Sequence, residues 1–370
     1  MGAMARGKER SDRLETYRAK RDFEHTPEPA GRVAVEDDAV LRRFVVQEHH
    51  ARRLHWDLRL ERDGVLASWA VPKGIPVDPS RNHLAVRTED HPLEYLDFEG
   101  EIPRGSYGAG VMRVWDRGTY TTHKWDEREV MVTLVGERAR GRYVLFRTRG
   151  DDWMIHRMDP PDDPTRESLP ERIEPMLATR GRTPSDSDGW AFEPRWQGLR
   201  ALVYVEGGRA RVVAPGGRDV TEQLPELRGI GGALGATEAI VDGVVVVPGD
   251  DSDDLLARRL DARSASTARR LAKESPVSFV AFDLLWLEGH AVMPRTYLER
   301  RELLEGLELA GPAWQTPRFH TGDGKAFLEA TRDAGFTGMV AKRLESVYEP
   351  GRRSRAWREV VDTSAASRRR

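Results

Sequence analysis

The run Asp159-Pro160-Pro161-Asp162-Asp163-Pro164 constrains this chain more than any other feature. Proline has no amide hydrogen and a fixed φ, so such a run stops both a helix and a ladder. It reads as a linker over residues 159–172. The two sides differ in pattern. Between Phe44 and Met158, short apolar segments recur between Gly and Pro punctuation: FVVQEHH, LHWDLRLE, VLASWAV, HLAVRT, GVMRVW and REVMVTLV. Many short strands with few helical stretches predict a compact barrel or sandwich, taken here as a mainly β, barrel-like domain over 31–158. Beyond the linker, WAFEPRW, RALVYVE, RARVVAP, AIVDGVVVVP and VSFVAFDLLWL read as strands, while Leu255 to Lys273 and Leu298 to Leu307 read as helices. That alternation predicts an α+β domain over 173–362. Residues 1–30 read as a charged arm with one helix around Leu14 to Arg21, ending at Thr26-Pro27-Glu28-Pro29. Residues 363–370 read as a mobile basic tail.

A length of 370 residues suits two domains, each large enough to bury a core. The chain has no cysteine. Disulfides, thiolate metal sites and cysteine nucleophiles are thereby excluded, and any metal must sit on His, Asp or Glu. The composition suits a reducing cytoplasm. Lys and Arg number 59 against 61 Asp and Glu, so a nucleic-acid surface must be a local patch. No apolar run approaches the roughly 20 residues needed to cross a bilayer. The N-terminal MGAMARGKERSD has no hydrophobic region and is not expected to be a secretion signal.

The richest segment is EHHARRLHWDLRLE, from Glu48 to Glu61. In a strand alternate residues share a face. His55, Asp57 and Arg59 therefore point one way, and Leu54, Trp56, Leu58 and Leu60 point into a core. Imidazole and carboxylate suit manganese, zinc or similar metals, and guanidinium is a bidentate phosphate ligand. His49, placed on the preceding turn, completes a three-ligand set; His50 faces away. The alternative is a half-exposed strand with an Asp57–Arg59 surface pair. A second cluster is Glu89-Asp90-His91-Pro92-Leu93-Glu94-Tyr95. With Pro92 in the first turn of a short helix, His91 and Tyr95 fall four apart on one face. There the alternative is a loop histidine beside a packed tyrosine. Lys73, in WAVPKG, is a phosphate contact or a turn lysine. RGSYGAG, from Arg104 to Gly110, is a Gly-rich turn.

Taken together, FVVQEHHARRLHWDLRLE, SWAVPKG, LAVRTEDHPLEYLDFEG, YGAG and VWDRGTY resemble the 3′-phosphoesterase module of bacterial DNA ligase D, and YRAKRDFEHTPEP resembles that module's N-terminal arm. The resemblance implies a manganese-binding module, other divalent metals being alternatives. Such modules remove a 3′-terminal ribonucleoside and then a 3′-phosphate from a DNA primer-template end, leaving a 3′-OH. It places the metal on His49, His55 and Asp57. It places the scissile phosphate on Arg59 and His91, supported by Tyr95 and Lys73, with Arg21, Asp22, Glu28 and Glu89 at further positions that matter. Two positions depart from the pattern. His83 stands where the family has a cation, and neutral imidazole replaces a fixed charge poorly. Arg104 replaces a common acidic residue.

Residues 173–362 are similar to the adenylation (nucleotidyltransferase) domain of ATP-dependent DNA ligases. The carrying stretches are EPMLAT, WAFEPRWQGLRAL, GGRDVTEQLPEL, AIVDGVVVVP, FVAFDLLWLEG, TGMVAKRLESVYEPGRRS and AWREVV. Where that family has its nucleophilic lysine, this chain has Arg195, whose delocalised guanidinium offers no lone pair. The motif's Asp is Gln197. Expected carboxylates are Val244 and Thr337, and expected lysines are Glu359 and Val361. Of the charged set only Arg200 and Lys342 remain. Ligases of this kind also need an OB-fold afterwards, and only eight residues follow Asp362. The expectation is a degenerate ligase domain that does not use ATP.

Such a domain would serve as a DNA clamp or a partner dock. Two basic groups suit a clamp: Arg352, Arg353, Arg355 and Arg358, and Arg258, Arg259, Arg263, Arg269, Arg270 and Lys273. The alternative is solvated faces paired with nearby acids. Implied partners are DNA ends, an end-binding Ku protein, and a separate repair polymerase or ligase at the bacterial nucleoid. The competing functions are a working ATP-dependent ligase and a non-catalytic end-binding scaffold.

Overall fold

The computed structural model describes residues 12–33, 41–186, 188–247 and 252–361. Residues 1–11 of the expected arm and the expected basic tail lie outside the described residues. The chain divides into two compact units, Met1–Arg166 and Glu167–Arg370.

In the first unit nine strands run in sequence: β1 (Arg42–His50), β2 (Leu54–Arg62), β3 (Val65–Val71), β4 (His83–Arg87), β5 (Gly100–Ile102), β6 (Gly110–Trp125), β7 (Glu129–Val135), β8 (Arg140–Arg149) and β9 (Asp152–Arg157). Hydrogen bonding follows β1-β2-β3-β4-β9-β8-β7-β6, and β6 pairs back onto β1. Of the two expected forms the structure is the barrel, closed by eight strands, with β5 added beside the start of β6. Alternation along each strand separates two faces of the wall. Phe44, Val46, Trp56, Leu58, Leu60, Tyr120, Val132, Leu134, Leu145 and Ile155 fill the interior. Complete burial of each such side chain stabilises by about 1.5–3 kcal/mol.

The outer face of β1 and β2 is also buried. The arm, with its short helix α1 (Glu15–Ala19), lays Leu14 and Tyr17 against Val45, Val65, Leu66, Tyr95, Leu96, Ile102 and Met112. Gly31 allows the arm to close down. Its φ is +59°, and a Cβ there would stand 2.0 Å from Pro92 Cβ, a position open only to glycine. The linker is tied to the barrel too. Buried Arg157 donates to the carbonyls of Asp159 and Pro160 and to the Asp162 carboxylate.

The second unit holds two sheets. One is ordered β10-β21-β20-β11, from β10 (Leu177–Arg180), β11 (Trp190–Pro194), β20 (Gly338–Arg343) and β21 (Arg353–Val361). The other is ordered β14-β13-β12-β15-β16-β19-β18, with β17 paired to β16. Its strands are β12 (Leu199–Glu206), β13 (Arg209–Ala214), β14 (Arg218–Asp219), β15 (Ala239–Val246), β16 (Ser278–Leu287), β17 (His290–Ala291), β18 (Ala310–Gly311) and β19 (Trp314–Gln315). Helices α2 (Gly229–Leu234), α3 (Ser252–Leu260), α4 (Ala265–Glu274), α5 (Tyr297–Gly306) and α6 (Gly324–Asp333) complete an α+β fold. The helix expected over Leu255 to Lys273 is two helices. Ser264 interrupts it in an extended conformation and caps α4, accepting from Thr267 N, because a serine oxygen satisfies an orphan amide only from outside the helix. No helix among the described residues is long and apolar enough to cross a membrane.

Candidate metal and phosphate site

The β1–β2 ladder builds the site. Its register sets His49 opposite His55 and Gln47 opposite Asp57. His49 therefore lies within a strand, not on the expected turn. A strand residue facing its partner is held more rigidly than a turn residue, and the two rings approach to 4.7 Å between centroids. A β-bulge between Val46 and Gln47 on the β6 side falls beside these residues, and bulges re-aim side chains.

One donor atom from each of His49, His55 and Asp57 lies within 4.8 Å of the other two. His49 Nδ1 and His55 Nε2 each stand 3.6 Å from an Asp57 oxygen. Each ring's other nitrogen meets a backbone carbonyl: Gly108 O at 2.9 Å for His49, and Arg53 O at 3.0 Å for His55. Those carbonyls only accept, so they hold the proton on the outer nitrogen and leave the inner lone pair turned to Asp57. Burial opposes the Asp57 charge. The neighbouring Arg59 guanidinium outweighs it and holds the carboxyl well below the usual range. Two imidazole nitrogens and an ionised oxygen, with tautomers fixed, fit a divalent cation of the manganese or zinc type.

Arg59 is buried and anchored at three points: to Gln47 Oε1 at 2.7 Å, Ser68 Oγ at 3.1 Å and Asp57 Oδ2 at 3.0 Å. Gln47 in turn donates to the carbonyls of Tyr95 at 3.0 Å and Phe98 at 2.8 Å. The arm supplies the opposite wall. Arg21 donates to Glu28 at 2.6 Å, to Glu89 at 3.1 Å and to His91 Nε2 at 3.3 Å. Tyr95 donates its hydroxyl to Glu28, and burial pushes that hydroxyl well above its ordinary pKa. His91 Nδ1 lies 2.8 Å from Glu89 O, so its proton sits there and Nε2 accepts. Burial, with the Arg59 and Arg21 charges, lowers His91 well below the usual histidine value.

The rings of His91 and Tyr95 do pack, at 4.8 Å, but not on a helix face. Pro92 is extended (ψ 157°), and the helical turn, of 3-10 type, starts at Leu93. His91 instead forms a bridge with Leu66. His50 faces away as expected and meets Glu48 at 2.6 Å.

The residues around a cavity of about 270 Å³ include Arg21, His49, His55, Asp57, Arg59, Glu89, His91 and Tyr95. Lys73 is an exposed turn residue, and exposed Asp22 accepts from Glu24 N and meets His25; neither lines the cavity. His83 bonds Gly74 O at 2.8 Å and does not line it either. Sequence reasoning missed Gln47, Ser68 and Tyr17. Gln47 was discoverable, since alternation puts it on His49's face. Three cations (Lys20, Arg21, Arg59) stand against three carboxylates (Glu28, Asp57, Glu89). The protein groups thus cancel, and a bound divalent cation would supply the surplus charge that draws in a phosphate.

A second cavity, of about 310 Å³, lies in the second unit, among Glu193, Arg195, Trp196, Arg200, Val244, Phe282, Lys342, Arg353, Trp357 and Glu359. Its cations are engaged. Arg195 donates to Glu359 and, at 3.0 Å, to Thr337 Oγ1. Arg200 makes two 2.6 Å bonds to Asp242. Lys342 lies 2.7 Å from Glu193 and 4.0 Å from the Phe282 ring centroid, and burial lowers its pKa. Of the expected basic groups, Arg259 is a buried structural residue bound to Glu226, and Arg258 and Arg270 pair with Glu274. Arg352, Arg353 and Arg355 are exposed.

Residues 47–147 match the family model of the DNA Ligase D 3′-phosphoesterase domain, and residues 175–360 match that of the ATP dependent DNA ligase domain. The multifunctional non-homologous end joining protein LigD of Mycobacterium bovis is 44% identical over 353 residues, covering 94% of this chain and 45% of its own. That of Mycolicibacterium smegmatis is 41% identical over 359 residues, with 94% and 45% covered. That of Pseudomonas aeruginosa is 35% identical over 399 residues, with 93% and 46% covered. The chain spans about half the length of these curated relatives.

Proposed function

Since the chain belongs to the family of the ATP dependent DNA ligase domain, with a segment matching the DNA Ligase D 3′-phosphoesterase domain ahead of it, we propose that it processes DNA 3′ ends during non-homologous end joining in a bacterial cytoplasm. The observation that carries the reading is the pair of imidazoles whose outer nitrogens are spent on backbone carbonyls while their inner nitrogens converge on Asp57.

His49, His55 and Asp57 would hold the cation, manganese by resemblance. When bound it neutralises phosphate charge and lowers the pKa of a water. Arg59, fixed by Gln47, Ser68 and Asp57, presents its remaining N–H groups to the phosphate oxygens and stabilises charge as the ester bond breaks. Arg21 brings a second guanidinium, oriented by Glu28 and Glu89. His91 is neutral, and its Nε2 lone pair, which accepts from Arg21 at 3.3 Å in the resting site, is suited to take a proton from the attacking water once Arg21 turns to the phosphate. The water's oxygen bonds to phosphorus as its proton passes to His91. In the diester the P–O5′ bond to the terminal ribonucleoside breaks and a 3′-phosphate remains; in the monoester the P–O3′ bond breaks and inorganic phosphate leaves. The departing oxygen takes up a proton to become the ribonucleoside 5′-OH or the primer 3′-OH.

In the second unit the reading is a ligase-like domain that does not adenylate itself, serving as a DNA clamp or partner dock. Arg195 donates to both Thr337 and Glu359, and all three positions depart from the ligase pattern. The departures form one charge-compensated arrangement in place of a nucleophile and its phosphate cations. The exposed Arg352, Arg353 and Arg355 suit backbone phosphates.

The test is a manganese-supplemented assay on primer-templates ending in a 3′-phosphate or one ribonucleotide. Conversion to a 3′-OH is expected, and its loss in His55→Ala. No conversion with DNA still bound would transfer the reading to an end-binding scaffold. Incubation with ATP labelled at the α-phosphate should leave the protein unlabelled; covalent label on the chain would overturn the second half.

A further inference from the structure

The phosphoesterase cavity is lined by two unlike kinds of residue. One set is ionic. The other is apolar or aromatic, made of Ala51, Ala70, Ile102, Met112 and Tyr107. A phosphate gains nothing from apolar side chains, so that set meets another part of the substrate. Tyr107 is its outermost member, with 49% of its surface exposed.

The ring is held in place, unlike most exposed tyrosines. Its hydroxyl accepts from Lys20 Nζ at 3.2 Å, and the same ammonium lies 4.6 Å from the ring centroid. Lys20 is itself fixed by Glu89 at 3.1 Å. The turn that carries the ring bends at Gly105 (φ +96°) and Gly108 (φ +75°), conformations suited to glycine. The Gly108 carbonyl is the one that receives His49. One short turn thus orients a candidate metal ligand and sets an aromatic ring at the same cavity. A rigid, half-exposed aromatic beside cations is the recognition element for a nucleobase, because stacking needs only a π face and tolerates every base.

We propose that Tyr107 is the stacking platform for the base of the 3′-terminal nucleotide, a binding residue that makes the site prefer ends bearing a base to abasic ends. This rests on the 3′-end-processing reading above.

The test uses the full chain with magnesium present and primer-templates ending in a 3′-OH, the product, which undergoes no further hydrolysis. Anisotropy of a distant dye reports binding. Fluorescence of 2-aminopurine, placed at the 3′ terminus or at an internal position, reports stacking. Terminal but not internal probes should be quenched by the wild-type chain and by Tyr107→Phe. Tyr107→Leu should lose the quench and bind ends with a terminal base about 10-fold more weakly, with ends lacking that base unchanged. Quenching that survives in Tyr107→Leu, or equal weakening on both kinds of end, overturns the proposal. The wild-type chain alone also decides: equal affinity for ends with and without a terminal base refutes a stacking platform, whatever the variant's stability. Absence of any end binding by anisotropy would instead strike the 3′-end-processing reading itself.

Discussion

Replacing Gln47 by leucine should damage the barrel far more than a neutral side chain on a polar face suggests. Gln47 is fully buried and makes three bonds: it accepts from Arg59 Nε at 2.7 Å and donates to the carbonyls of Tyr95 and Phe98. Leucine fills similar space but leaves all three partners without it. An orphaned buried carbonyl costs about 1–3 kcal/mol, and a lost bond to a charged group about 1.5–3 kcal/mol. Neighbouring losses do not add fully, so the expected destabilisation is about 3 kcal/mol or more, or roughly 6–12 °C in Tm for a unit of this size. Gln47→Glu separates the two functions. It keeps an oxygen for Arg59 but turns a second oxygen toward two carbonyls. Its melting should also fall, while Arg59 stays anchored and 3′-phosphate release survives better than in Gln47→Leu. Thermal unfolding followed by tryptophan fluorescence, with phosphate release measured well below both midpoints, gives the two readouts. A Tm loss under about 3 °C for Gln47→Leu would refute the claim that Gln47 carries these three bonds.

Other expectations follow from the same geometry. Burial and the Arg59 and Arg21 charges lower His91, so the unfolded chain takes up that proton first, near the ordinary histidine pKa of about 6.5. Barrel stability contributed by neutral His91 is therefore present above that pH and lost as the pH falls toward the folded value. His91→Gln should flatten the melting profile between about pH 5 and 7; an unchanged slope would contradict the assignment. His49→Ala or His55→Ala should lower manganese affinity by at least ~10-fold in titration calorimetry, and so, to a lesser degree, should displacing the Gly108 carbonyl that anchors His49 through a distorting Gly108→Pro change. Restoring lysine alone, as Arg195→Lys, should not restore adenylation, since Glu359 and Thr337 stay in place; labelled protein would refute this. Charge reversal of Arg352, Arg353 and Arg355 together should weaken DNA binding and reduce the slope of log affinity against log salt by about 3; an unchanged slope rejects the clamp.

Much of the first site was readable because one strand announces itself. Leu54, Trp56, Leu58 and Leu60 alternate with His55, Asp57 and Arg59, and a period of two can serve only one arrangement. His49 was chosen correctly as a neighbour but set on the wrong element, because Ala51-Arg52-Arg53 reveals where a turn lies more poorly than which residues face each other. Alternation placed Trp56, Leu58 and Leu60 in the interior, where they lie, but could not show that the opposite face is buried as well, beneath the arm. The roles of Arg21 and Glu28 are invisible to periodicity. They meet Glu89 and Tyr95 across 68 and 67 positions of chain, and only the resemblance pointed to them. In the second unit Arg195 in the place of a lysine was a reading of the resemblance alone, and its bonds to Thr337 and Glu359, which bring together the end of β11, the start of β20 and β21, were not legible in the sequence.

The arm has a consequence for how such a protein can be cut. The match to the phosphoesterase family begins at residue 47, and β1 begins at Arg42, yet Arg21 lines the candidate cavity, with Tyr17 and Glu28 holding it from behind. A fragment trimmed to the barrel would keep the metal ligands and lose the partners of His91, Glu89 and Tyr95, leaving a buried acid and a phenol newly wetted. Fragment boundaries should therefore be drawn upstream of Leu14. Any domain joined at that end sits within a few residues of the chemistry, where its docking can throttle or steer a reaction it takes no part in.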